Sequence, residues 1–135
     1  MNKNTKESRQ LEHISTTICS SSTDGSELVA REISDLIRSR NADGQHAVLG
    51  LATGSTPIGV YRELVRLHKD EGLSFKKVLT FNLDEYHGLE PEHPESYAAF
   101  MDRHLFSLID IPADATVVPD GKVPREDVFA YCKAY

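Results

Sequence analysis

The chain is short of cysteine, of positive charge and of long apolar runs, and each shortage removes a class of explanation. Its two cysteines, Cys19 and Cys132, lie far apart, form no CxxC or other metal-ligand spacing and make no disulfide framework, so both read as reduced thiols. Lys and Arg number 15 against 21 Asp and Glu, a formal charge of -6. That balance opposes the counterion-release attraction that nucleic acid requires, and neither DNA nor an anionic membrane is a natural partner. A ligand carrying phosphate has to be held locally, by oriented amides and a few placed groups in a loop, not by the overall field. The longest apolar stretch, Ala47 to Ala52, is much too short to span a bilayer, and Met1 to Gln10 has no apolar signal-peptide core. The expectation is a cytoplasmic protein with no membrane or nucleic-acid partner.

What is present suits one α/β core: 135 residues, 39% of them hydrophobic. Residues 1–12 read as a loose polar leader and 13–135 as part of a single domain. Ile14 to Cys19 alternates β-branched residues like a strand near a sheet edge. Asp24 and Glu27 form a capping box for a helix carrying Leu28, Ile33, Leu36 and Ile37 and stopped by Asn41 and Gly44. Ala47 to Ala52 and Lys77 to Leu83 read as central parallel strands covered on both faces. The helix between them has Thr56 as N-cap, Pro57 at the first position and Gly72 as terminator. Pro94 opens a further helix with Tyr97, Phe100, Met101, Leu105 and Leu108 as its stripe. Thr116 to Pro119 suggests a strand, and Pro124 begins a last helix. The alternation predicts a doubly wound, Rossmann-like, mostly parallel sheet.

Two loops then fall at one edge of that sheet, since a βαβ unit is right-handed in nearly all cases. Thr53-Gly54-Ser55-Thr56 follows a buried strand and precedes a helix, where Gly54 admits close approach and three hydroxyls can donate to phosphate. It lacks the GxxxxGK[ST] lysine and the dinucleotide GxGxxG, and a small polar turn that only caps a helix explains it equally. Asp84, at the tip of the next strand, is placed as a general base acting on a carbon beside a carbonyl or imine; an Asx-type turn is the alternative. Glu85 faces the opposite side and reads as a residue that ties down neighbouring backbone. His87 and His93 near Asp84, Glu85 and Glu92 lack HExxH spacing or cysteine support, so no metal is expected.

The segments VLGLATGSTP (48–57), FKKVLTFNLDEYHGL (75–89) and EHPESY (92–97) with Phe100-Met101, in that order, resemble the glucosamine-6-phosphate deaminase family over about Ile14 to Asp120. The resemblance implies that Thr53, Gly54, Ser55 and Thr56 bind the sugar phosphate and that Asp84 moves a proton between C2 and C1. The implied reaction runs through ring opening, isomerisation and deamination to fructose 6-phosphate and ammonia, with no cofactor. Phosphogluconolactonases are similar in sheet and loop but typically place an arginine after the Asp-Glu pair, where this chain has Tyr86, beside the second-tier Glu85. The family's later Asp-Gly-His motif, basic residues and lid have no counterpart here, Asp120-Gly121 being followed by Lys122. The resemblance therefore implies an N-terminal portion, an apparently truncated sheet, and little or no activity from these residues alone. A lactonase-like hydrolase and a non-catalytic sugar-phosphate-binding module are the competing readings, and a homo-oligomer is left open.

Overall fold

The computed structural model describes residues 7–11 and 14–135. Strand β1 (Glu7–Leu11) pairs antiparallel with β2 (Ile14–Ile18) in a sheet of their own, Glu7 opposite Ile18 and Leu11 opposite Ile14. Most of the stretch read as a leader beyond residue 6 is thus strand, and β2 is not an edge of the main sheet. Residues 1–6 and 12 of that stretch lie outside the described residues.

Helix α1 (Ser22–Ala42) begins earlier than the Asp24 capping box predicts. Ser21 extends its side chain to the Asp24 amide at 3.1 Å, which leaves Asp24 in the first turn, where its charge suits the helix dipole. The buried face of α1 is Ala30, Ser34 and Ile37, whereas Leu36 points outward. β3 (Ala47–Leu51), α2 (Ile58–Glu71) and β4 (Val78–Asn82) form the βαβ unit. Gly72 ends α2 in the left-handed region at φ 68°, the conformation that glycine adopts without a Cβ penalty. Helix α3 (Tyr97–His104) passes into a short 3-10 turn at Phe106–Leu108, so the stripe predicted to reach Leu108 loses its last member to solvent. β5 (Thr116–Val117) is a two-residue strand. Pro124 opens a turn, and the last helix, α4 (Val128–Ala134), follows it.

The main sheet is parallel, in the order β3-β4-β5. Ala47, Leu49 and Leu51 of β3 and Val78 of β4 pack in one core with Ala30 and Ile37 of α1, Tyr61, Leu64 and Leu67 of α2, and Met101 of α3. The other face is open: Val48 is 58% exposed and Leu83 72%. This corrects the expectation of strands covered on both faces. Among the described residues one face of the sheet carries the three helices, while Tyr135 meets Phe81 on the other with ring centroids 6.2 to 6.4 Å from its aromatic neighbours.

A polar joint fixes the turn between α2 and β4. Asp110 accepts the Phe75 N–H at 2.6 Å and the Ser74 hydroxyl at 2.9 Å, with His68 Nδ1 3.6 Å away. Burial opposes ionisation of Asp110, but these bonds, with His68 nearby, outweigh it and hold its carboxyl below the ordinary 3.8. A depressed folded value means stability that is present above the unfolded value and lost as pH falls through the folded one. Asp110→Asn is therefore expected to cost about 1–2 kcal/mol at neutral pH. The gap from the native chain should close as pH drops below 3.8. Urea melts across that range check it; a gap independent of pH would refute the role given to the charge.

Candidate functional site

Leu51 and Asn82 form the last register pair of β3 and β4, and the Leu83 N–H donates to the Leu51 carbonyl at 3.2 Å. Two residues further along each strand come Thr53 and Asp84. Adjacent strands run about 4.8 Å apart, so the hydroxyl loop and the carboxylate emerge abreast at the carboxyl edge of the sheet, where open α/β folds bind ligands.

The loop is polar and open. Gly54 has φ 108°, and a Cβ there would meet nothing within 4 Å, so its glycine answers to backbone conformation and leaves open space above it. Pro57, not Thr56, is the N-cap of α2. No side chain caps that helix, so the first amides of α2 face the loop without a side-chain acceptor. Thr53 is half-buried, while Gly54, Ser55 and Thr56 are exposed. The loop's base is tied by Tyr61, a buried α2 residue whose hydroxyl donates to the Ala52 carbonyl. Burial pushes that phenol up to about 12. Sequence periodicity marks Tyr61 only as a core position; its polar end, in a face otherwise made of aliphatic residues, is the signal that identifies it as an anchor. Tyr61→Phe is expected to lower stability by about 1–2 kcal/mol, and thermal denaturation reads it; an unchanged melting temperature would remove Tyr61 from the support of the loop.

Asp84 is exposed and lines a cleft of about 240 Å³ with Leu83 and His87, closed on the far side by Gly121 and by Tyr131 and Tyr135 of α4. Thr53 to Thr56 are not part of that wall, and Gly54, Ser55 and Thr56 are open to solvent. Glu85 lines the same cleft as Asp84, and because β4 ends at Asn82 strand parity does not govern either side chain; the Glu85 carboxylate is instead bound to backbone. Its Oε1 accepts the Tyr86 and Tyr97 N–H groups, both at 2.8 Å, and its Oε2 accepts that of Ala98 at 2.9 Å. Tyr86 stacks on Tyr97 with centroids 4.7 Å apart. Hydrogen bonding to Tyr97, the charge of that neighbour, burial and the charge of Asp84 raise the Tyr86 phenol above its ordinary value.

The turn at Asp120–Val123 straps this loop from outside, which sequence reasoning missed. The Gly88 N–H donates to the Gly121 carbonyl at 2.6 Å, and His87 Nε2 lies 2.9 Å from the Val123 carbonyl. A Cβ at Gly121 would overlap the Tyr86 carbonyl and come within 3.0 Å of that of Leu89. Lys122 completes the strap with an ion pair to Glu90 at 2.7 Å. His87 is thus engaged with backbone, and His93 accepts the Glu95 N–H at 3.1 Å. Among the described residues no group of three or more His, Cys, Asp and Glu is placed to hold a metal.

A parallel sheet with a hydroxyl-bearing loop and an exposed carboxylate at its carboxyl edge is the arrangement at which open α/β folds bind small molecules. The profile described as glucosamine-6-phosphate isomerases/6-phosphogluconolactonase matches residues 20–135, and the chain belongs to that family. It is 46% identical over 109 residues to glucosamine-6-phosphate deaminase of Geobacillus sp. (strain WCH70), covering 81% of this chain and 43% of that protein. It is 57% identical over 90 residues to glucosamine-6-phosphate deaminase 2 of Giardia intestinalis, covering 67% and 33%. A solved monomeric glucosamine-6-phosphate deaminase superposes with a TM-score of 0.79 at 41% identity, over 87% of this chain and 46% of the other. The 6-phosphogluconolactonase from Trypanosoma cruzi shares the fold at 23% identity and a TM-score of 0.63, over 87% and 46%. The chain therefore spans less than half the length of these relatives.

Proposed function

We propose that these residues supply the phosphate loop and the proton-transferring base of a glucosamine-6-phosphate deaminase. The observation that carries this reading is the emergence of Thr53 and Asp84 side by side from register-paired parallel strands. The phosphate docks on the amides of Gly54 to Thr56 and the hydroxyls of Thr53, Ser55 and Thr56, held by oriented dipoles in a protein of net negative charge. This places the carbons of the opened sugar over the neighbouring strand end. Asp84 removes the C2 proton from the open-chain amino aldose, giving an enolamine, and returns a proton at C1. The resulting ketimine takes up water and releases ammonia, leaving fructose 6-phosphate. Glu85 and Tyr86 hold the loop that carries Asp84. No cofactor enters these steps, which need only positioning and proton transfer.

Ammonia release from glucosamine 6-phosphate tests the reading, measured for these 135 residues and for a polypeptide extending them to the length of the relatives. Little turnover is expected from the 135 residues alone, because the ring-opening histidine that the family resemblance implies is not among them. Turnover by the longer polypeptide supports the proposal. Hydrolysis of a phosphogluconolactone without ammonia release would replace it with the lactonase reading, and binding without either product would leave a sugar-phosphate-binding module.

Among the described residues no helix is long and apolar enough to cross a membrane, and Cys19 and Cys132 are both free. We read the protein as cytoplasmic, with a sugar phosphate as its small-molecule partner and no nucleic acid. The open face bearing Val48, Phe81 and Leu83 favours self-association of the 135-residue chain. Sedimentation at rising concentration should show it, and a monomer throughout would count against it.

A further inference from the structure

Two polar side chains interrupt the covered face of β4, at its root beneath Asp84. Thr80 and Asn82 are each 1% exposed and, two residues apart, point to the same side of the strand. Leu49 and Leu51 of β3 lie opposite them in register, both buried. The Thr80 hydroxyl oxygen and both the oxygen and the nitrogen of the Asn82 amide are buried without a hydrogen-bond partner among the described residues. Three such atoms gathered in one apolar layer are unusual, since buried polar groups are nearly always paired by protein or by ordered water. A fold that left them dry would gain by replacing both with aliphatic residues of the same shape.

We propose that Thr80 and Asn82 form an internal water site between β4 and the helical layer. The chemistry selects water over an organic ligand or an ion. The set offers one obligate acceptor, one NH2 donor and one hydroxyl able to do either, none of them charged. A buried water commonly makes about three bonds, as donor and acceptor together, and so matches all of them. The other side of the strand end is held by protein, the Tyr135 hydroxyl donating to the Asn82 carbonyl at 2.8 Å. The bound water gives the same residue a second hold through its side chain, and β4 reaches Asp84 anchored on both faces.

Thr80→Val is the decisive variant, because it keeps the shape and removes only the hydroxyl. If that oxygen bonds a water, the variant strips the water of a partner, and the melting temperature of the chain should fall by about 3–6 °C. If the oxygen is unpaired, the same change leaves the melting temperature level or raises it, and the proposal fails. A crystal structure of the unmodified chain should show a water within hydrogen-bond distance of Thr80 Oγ1 and the Asn82 amide, retained in Thr80→Ser and lost or displaced in Thr80→Val. Protein atoms alone filling those bonds would overturn the proposal even with a lower melting temperature. Neither readout involves catalysis, so the outcome is independent of the deaminase reading.

Discussion

Asp84→Asn is expected to lower kcat for ammonia release from glucosamine 6-phosphate by about 10²–10⁴-fold, the usual contribution of a positioned proton-transferring group, with KM within a few-fold of the native value. The measurement belongs in the longest polypeptide carrying these residues that turns over. The split between the two constants follows from the division of labour along the sheet edge. On the proposed reading, affinity resides in the Thr53–Thr56 loop that follows β3, whereas Asp84, two residues past the end of β4, acts only when the C2 proton moves. Asparagine has the same shape, and Asp84 is exposed with no side-chain hydrogen bond among the described residues, so stability should stay within about 0.5 kcal/mol. A kcat near the native value would remove Asp84 from the chemistry. A rise in KM at unchanged kcat would reassign it to substrate binding.

The parts of this site that were legible in the sequence are those whose cause is local. Gly72 marks the end of α2 and Gly54 the bend of the Thr53–Thr56 loop because each needs positive φ, a demand that composition reveals. The apolar runs around Leu49 and Leu79 give the two strands, and right-handed connection gives their neighbouring ends. What stayed hidden depends on distant residues. Ser21 and Asp24 are both good caps three residues apart, and only packing decides where α1 starts. Runs such as Ala47 to Ala52 announce burial without saying whether one face or two is covered, and here Val48 lies open. Glu7–Leu11, read ESRQL, has no apolar alternation and is strand only because β2 lies beside it. Gly121 looks like any turn glycine until the Tyr86 and Leu89 carbonyls close over it.

Glu85→Ala should be the most damaging change to the fold of the site, lowering stability by about 2–4 kcal/mol and the melting temperature by roughly 10 °C. The first three amides of α3 have no partner within the helix. Ser96 accepts that of Ala99 at 3.0 Å, and Glu85 accepts those of Tyr97 and Ala98, so two side chains complete the helix start between them. The carboxylate also lies where the positive end of the helix dipole favours an anion. Because the same oxygen holds the Tyr86 N–H, the bond network ties the segment just after Asp84 to α3, and removing it releases the loop as well as the helix. Glu85→Gln retains one acceptor oxygen but sets an NH2 group against backbone donors, so it should recover only part of the loss. A role in positioning predicts more than a lower melting temperature: below the transition of each variant, kcat should fall while affinity for inorganic phosphate at the Thr53–Thr56 loop holds. Equal losses in both would mean general unfolding, and a melting temperature within about 2 °C of native would show that water replaces Glu85 at those amides at little cost.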